Sequence, residues 1–101
     1  MSEGVMFVVQ VEHAVPEYEA WKREGFDRDP IGRAEHGVRR YRILRDGRDV
    51  VIELEFDTRP AAEAFEMALA GLWRGVMDRF AWSELPATGI YELAGTGDYN
   101  V

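Results

Sequence analysis

Few side chains in this sequence have chemistry to offer. There are two histidines, His13 and His36, and no cysteine. Histidine titrates near neutrality and is the natural general base for an acidic phenol or a proton beside a carbonyl. His36 is the stronger candidate, because Asp27, Asp29 and Glu35 are near in sequence and a carboxylate can orient an imidazole. Tyr41 can donate a hydrogen bond to developing negative charge. Arg39, between the two, suits a carboxylate or phenolate. Trp21 and Trp73 offer flat faces to a planar molecule, and the glycines near Trp73 leave room for one to approach. We therefore take His36 and Tyr41 as candidate catalytic residues, and Trp21, Arg39, Trp73 and His13 as candidate substrate-binding residues. A plainer reading competes at each position: loop histidines in water, a tyrosine and indoles in the core, an arginine reaching solvent at a sheet end. Met67 and Met77 read most simply as packing residues, and Trp82 completes an allotment of three tryptophans that is large for one small domain. The histidines lack metal-ligand spacing, so no metal site is expected. Nothing in the sequence calls for a cofactor.

Composition bounds the remaining options. A chain of 101 residues is one domain, and it should hide about 65% of its unfolded surface. An apolar share of 47% fits a globular chain rather than a disordered one. With no cysteine, disulfides, thiol nucleophiles and zinc–thiolate sites are excluded. No apolar run reaches membrane-spanning length and no leader pattern opens the chain, so the expected compartment is the cytoplasm. The net charge of −7 opposes phosphate binding, and nucleic acid is not an expected partner. Charge is uneven, with six arginines between Arg33 and Arg48 against Glu35 and Asp46.

The elements that must position these residues centre on a hairpin, Gly37 to Phe56. Asp46–Gly47 supplies its turn, since a two-residue turn needs φ > 0. Tyr41, Ile43, Val50, Ile52, Leu54 and Phe56 then share one face, and Arg40, Arg42, Val51, Glu53 and Glu55 the other. Arg39 falls on the apolar face. Val5 to Val11 is apolar at nearly every position, as a central strand covered on both sides would be. Pro16 opens a helix carrying Tyr18, Trp21 and Phe26, and Asp29 caps a short second segment from Pro30 to His36 that Gly37 stops. Thr58 caps a long helix with an apolar stripe through Ala62, Phe65, Leu69, Leu72, Trp73, Val76 and Phe80. A break or kink is expected near Gly71 and Gly75. Gly89 to Ala94 is a last strand. The ordered core is thus about residues 5–94, after a loose Met1–Gly4, and a polar tail fills 95–101. Gly95–Thr96–Gly97 opens no helix and is not a phosphate loop.

The order β-α-β-β-α-β is ferredoxin-like: an α+β domain with an antiparallel sheet, central first and third strands and an edge second strand. Two helices cover one face. The other face is part apolar and part Arg/Glu ladder, which predicts a homodimer packed sheet to sheet.

Met6–Val11, the stretch Glu19–Ala20–Trp21–Lys22, the run Gly37–Val38–Arg39–Arg40–Tyr41 and the pair of segments Glu63–Phe65 and Leu72–Trp73 resemble the dimeric α+β barrel superfamily. Within it they are most similar to the antibiotic-biosynthesis-monooxygenase-like branch. The resemblance covers roughly residues 5–94 and implies that two subunits form one barrel. It also implies a ligand site in each subunit between sheet and helices, and an activity among cofactor-free oxygenases, cyclases, isomerases or haem-degrading enzymes. Haem-degrading relatives use an Asn on the first strand, a helical Trp and a later helical His. Gln10 and Trp73 stand near the first two, while no histidine follows His36. The oxygenases' mixed sets are matched by Trp73, Tyr41, His36 and an arginine, with Asn only at Asn100.

Together these readings give a small-molecule-binding homodimer whose partners are a second copy and an aromatic or anionic small molecule. The expected chemistry is that of a cofactor-free monooxygenase or cyclase on a polyphenol. The alternative is a non-catalytic ligand-binding or structural dimer.

Overall fold

A computed structural model of the chain describes residues 5–80 and 86–99, without the side chains of 76–80. Met1–Gly4 and Trp82 therefore lie outside the described residues, as do the tail end and the side chains of Val76, Met77 and Phe80. The elements are β1 (Phe7–Ala14), α1 (Tyr18–Trp21) running into a π turn (Lys22–Phe26), β2 (Arg40–Asp46), β3 (Asp49–Phe56), α2 (Arg59–Phe80) and β4 (Ala87–Glu92). The sheet order is β2-β3-β1-β4, antiparallel throughout. This is the ferredoxin-like arrangement, with β1 and β3 central and β2 at an edge.

Alternation sorts the two sheet faces. Val9 and Val11 of β1 stand opposite Leu54 and Ile52 of β3. All four are buried, with Val50, Phe56, Ala62, Phe65 and Leu69, under α2 and the loop layer. Phe56 and Phe65 join sheet to helix at a ring separation of 5.2 Å. The other face carries Val8, Gln10, Val51, Glu53, Glu55, Arg40 and Arg42. There Arg42 Nε donates to Glu53 Oε1 at 2.6 Å, and Arg40 Nε lies 3.2 Å from Glu55 Oε1. The expected division of the hairpin into an apolar and a charged face holds. Its register is two residues away from the expected one. Asp46 pairs with Asp49, so the turn is Gly47–Arg48. Gly47 has φ +62 at the first central position, the type II′ pattern, in which only that residue takes a positive φ.

Three helical expectations are corrected. Pro16 precedes the first helix instead of lying in its first turn, because Glu17 is the N-cap and Tyr18 the first helical residue. Pro30 to His36 forms hydrogen-bonded turns rather than a helix, with Asp29 at φ +50. Gly37 still acts as the stop: its N–H donates to the Ala34 carbonyl and that of Val38 to the Arg33 carbonyl, both at 3.1 Å, with Gly37 at φ +94. That pair of hydrogen bonds is a Schellman ending. Finally, α2 runs unbroken through Gly71 and Gly75. Thr58 caps it as expected, its Oγ1 accepting the Ala61 N–H at 3.2 Å. Met67, read as a core residue, is 74% exposed on this helix.

The π turn has a local cause and a spatial consequence. The Asp27 N–H donates to the Lys22 carbonyl five residues back, at 2.8 Å, and Lys22 Nζ reaches Asp27 Oδ1 at 2.7 Å. In an α-helix, residues five apart point about 140° apart around the axis. The wider turn brings Trp21 and Phe26 onto one side, with ring centroids 5.4 Å apart.

Candidate functional site

The segment Tyr18–Phe26 stands away from the sheet. None of its Cα atoms lies within 8 Å of a Cα in any strand or in α2. Side chains bridge the gap, and they leave a cavity of about 830 Å³. Its floor is Val11, Ile52 and Leu54 of the sheet. One wall is Phe65, Leu69, Leu72 and Trp73 of α2. The opposite wall is Trp21 and Phe26, with Arg33 from the turns that follow. The chain's three layers thus enclose a space that is apolar at its base, with charged groups in the loop layer.

His13 belongs to this wall, at the end of β1. Its ring meets the Trp21 indole edge to face at 5.8 Å. Burial pushes its pKa below the usual 6.5, because a charged imidazolium is poorly solvated there. A hydrogen bond with the backbone at Ala14 opposes that shift and is the smaller effect. At neutral pH His13 is therefore an uncharged imidazole, able to accept a proton.

Of the six residues singled out in the sequence, the structure brings three together at the cavity: His13, Trp21 and Trp73. The other three do not line it. His36 is exposed; the Gly32 carbonyl lies 3.1 Å from its Nδ1, and its ring edge meets Phe65 at 5.8 Å. The acids near it in sequence do not orient it. Asp27 is held by Lys22, and Asp29 accepts the Arg33 backbone N–H at 2.9 Å. Tyr41 lies on the predicted face but is 43% exposed, because β2 is an edge strand that the loop layer only partly covers. Its ring packs against Phe26 at 4.8 Å, behind the cavity wall. Arg39 is exposed at the sheet end and forms a 2.8 Å ion pair with Asp57.

The sequence reading missed Arg33 and Arg28, both of which line the cavity. The available signal was Arg33's place four residues after Asp29. Only the left-handed turn at Asp29 and the π turn before it aim that arginine at Phe26. Among the described residues, no group of three or more His, Asp or Glu side chains is placed to hold a metal ion. No described helix is long and apolar enough to cross a membrane.

No protein-family model matches the sequence, and no curated protein does. Among solved structures, the chain is similar to a Nitrosomonas europaea protein whose assignment as an antibiotic biosynthesis monooxygenase is itself an inference. The two are 28% identical, with a TM-score of 0.61 over 96% of this chain and 99% of the other. The chain thus resembles the antibiotic-biosynthesis-monooxygenase-like branch of the dimeric α+β barrels across nearly its whole length.

Proposed function

We propose that this protein is a homodimeric barrel that binds a planar aromatic molecule in the cavity of each subunit and oxygenates or cyclises it without a cofactor. The observation that carries the reading is the cavity of about 830 Å³ with two indoles and an imidazole in its wall. That volume falls within the range of about 300–1,000 Å³ that small-molecule sites occupy. Trp21 and Trp73 supply flat apolar contact. His13 is the group in the wall suited to take a proton from a phenolic O–H or an activated ring CH2, leaving an electron-rich carbanion or phenolate. Dioxygen can then react at carbon. Oxidation of a ring CH2 to C=O by one O2, with release of one water, takes all four electrons from the substrate, so the balance needs no separate reductant. The monooxygenase-like neighbour supports this class of chemistry.

A non-catalytic ligand-binding dimer is the second reading, favoured by one observation: His36 and Tyr41, the pair expected to do chemistry, do not line the cavity. One experiment separates the two. Hydroxylated naphthalenes and anthracenes are titrated while indole fluorescence and oxygen uptake are followed. The enzyme reading expects quenching together with oxygen consumption, and His13→Gln keeps the quenching and loses the consumption. Quenching without turnover of any compound leaves the binding reading. If no planar phenol quenches the wild type, both readings fall.

A further inference from the structure

Arg33 is a half-buried cation in the cavity wall with most of its hydrogen-bonding capacity unspent. A guanidinium presents five N–H donors in a rigid planar fork. One, on Nη1, donates to the Phe26 carbonyl at 3.0 Å. Asp29 is the one carboxylate within 4.0 Å among the described residues, and its Oδ1 is 3.7 Å from Nη1, outside hydrogen-bond reach. Both Asp29 oxygens instead accept the Arg33 backbone N–H, at 2.9 and 3.1 Å. The acid therefore builds the turn and leaves the guanidinium loosely compensated.

The fork is also held in place. Arg33 Cζ lies 3.7 Å from the centre of the Phe26 ring, and the Tyr41 ring is 5.5 Å away. Phe26 packs in turn against Trp21 and Tyr41, at ring separations of 5.4 and 4.8 Å. The Arg33 side chain is 17% exposed, so water screens it less than a surface arginine. The other charges lining the cavity do not neutralise it. Glu24 lies 3.1 Å from Arg23 Nη2, and Glu17 and Arg28, of opposite charge, each lack an ion-pair partner among the described residues.

We infer that Arg33 selects the ligand's charge: the molecule bound in the cavity is a planar aromatic carboxylate whose oxygens take the free edge of this guanidinium while its ring packs among the indoles. A carboxylate fits two parallel N–H donors, which a neutral amide cannot match. The inference rests on the cavity being the ligand site, and it narrows the phenolic substrate class to hydroxylated aromatic acids. Tyr41 becomes a positioning residue that braces Phe26 and, through it, the fork.

The test is calorimetric titration with two probes of one shape, 2-naphthoate and 2-naphthamide, near neutral pH. Wild-type protein should bind the acid about tenfold more tightly than the amide. Arg33→Gln should bring that ratio to about one by weakening the acid alone. Arg33→Lys keeps the charge without the fork and should give an intermediate ratio; it serves in place of Arg33→Gln if that variant fails to fold. Arg39→Gln, which changes an arginine outside the cavity, should leave the ratio unaltered. Equal binding of both probes to the wild type, or a preference that survives Arg33→Gln, overturns the inference while the cavity reading stands. Binding of neither probe overturns the cavity reading and the inference together.

Discussion

Two histidines of one sequence have opposite fates, and neighbours decide them. His36 meets water and a backbone carbonyl, whereas His13 is tucked against Trp21 at the cavity wall. Burial lowers the pKa of His13 from its ordinary 6.5. A folded-state value below the unfolded one means that the unfolded chain takes up the proton first as pH falls. The associated stability is thus fully present above the unfolded value and is lost as pH drops through the folded one. Wild-type protein should lose more melting temperature between about pH 7.5 and about pH 5.5 than His13→Gln, which has no proton to gain. Proton NMR of the His13 ring should show a midpoint under 6.5. A midpoint at or above that value would refute the account.

At the scale of elements, α2 holds together through two residues that weaken helices. Gly71 and Gly75 each cost a helix interior roughly 0.5–1 kcal/mol relative to alanine. The helix survives because its apolar stripe, Ala62, Phe65 and Leu69, is buried against the sheet, and packing outweighs propensity at that size. A Cβ built on Gly75 meets nothing within 4 Å, and one on Gly71 meets only the Arg74 guanidinium at 4.0 Å. Gly75→Ala should therefore raise stability by about 0.5–1 kcal/mol in urea unfolding, with an unchanged slope. A loss of stability would mean that the glycine is needed for a close approach by something the isolated chain does not contain. The π turn shows the same contest from the other side: it spends α-helical regularity to place Trp21 and Phe26 together.

At the scale of the molecule, the open sheet face remains to be covered. Val8 and Val51 are half-buried there, Leu44 and Tyr91 are about half exposed, and the Arg40–Glu55 and Arg42–Glu53 pairs lie among them. Exposed pairs of this kind are worth little to a monomer. A second copy packed on this face would bury the apolar residues and desolvate ion pairs already matched within each subunit. The wild type should scatter light as a dimer at micromolar concentration, and Val8→Asp should convert it to a monomer with an unchanged far-UV spectrum. A native wild-type monomer would remove the closed-barrel reading.

The sequence by itself determined the elements that rest on local rules. Period-two alternation placed the core face of the hairpin, Thr58 marked a helix start, Gly37 marked the stop of a segment that is turns and not the helix expected, and two-sided apolarity marked β1 as central. It also named His13, Trp21 and Trp73, residue types whose wish for partial burial is intrinsic. Tertiary structure alone decided which side chains converge. His36 and Tyr41 are near each other in sequence but fall on a turn and an edge strand that the cavity does not reach. Arg33 is unremarkable in a run of arginines until a positive φ at Asp29 and a five-residue turn at Lys22 lay it on Phe26. Such convergence is a sum of backbone dihedrals across several turns. A change of one residue in any of them redirects the side chain, and no local pattern of residue types records that sum.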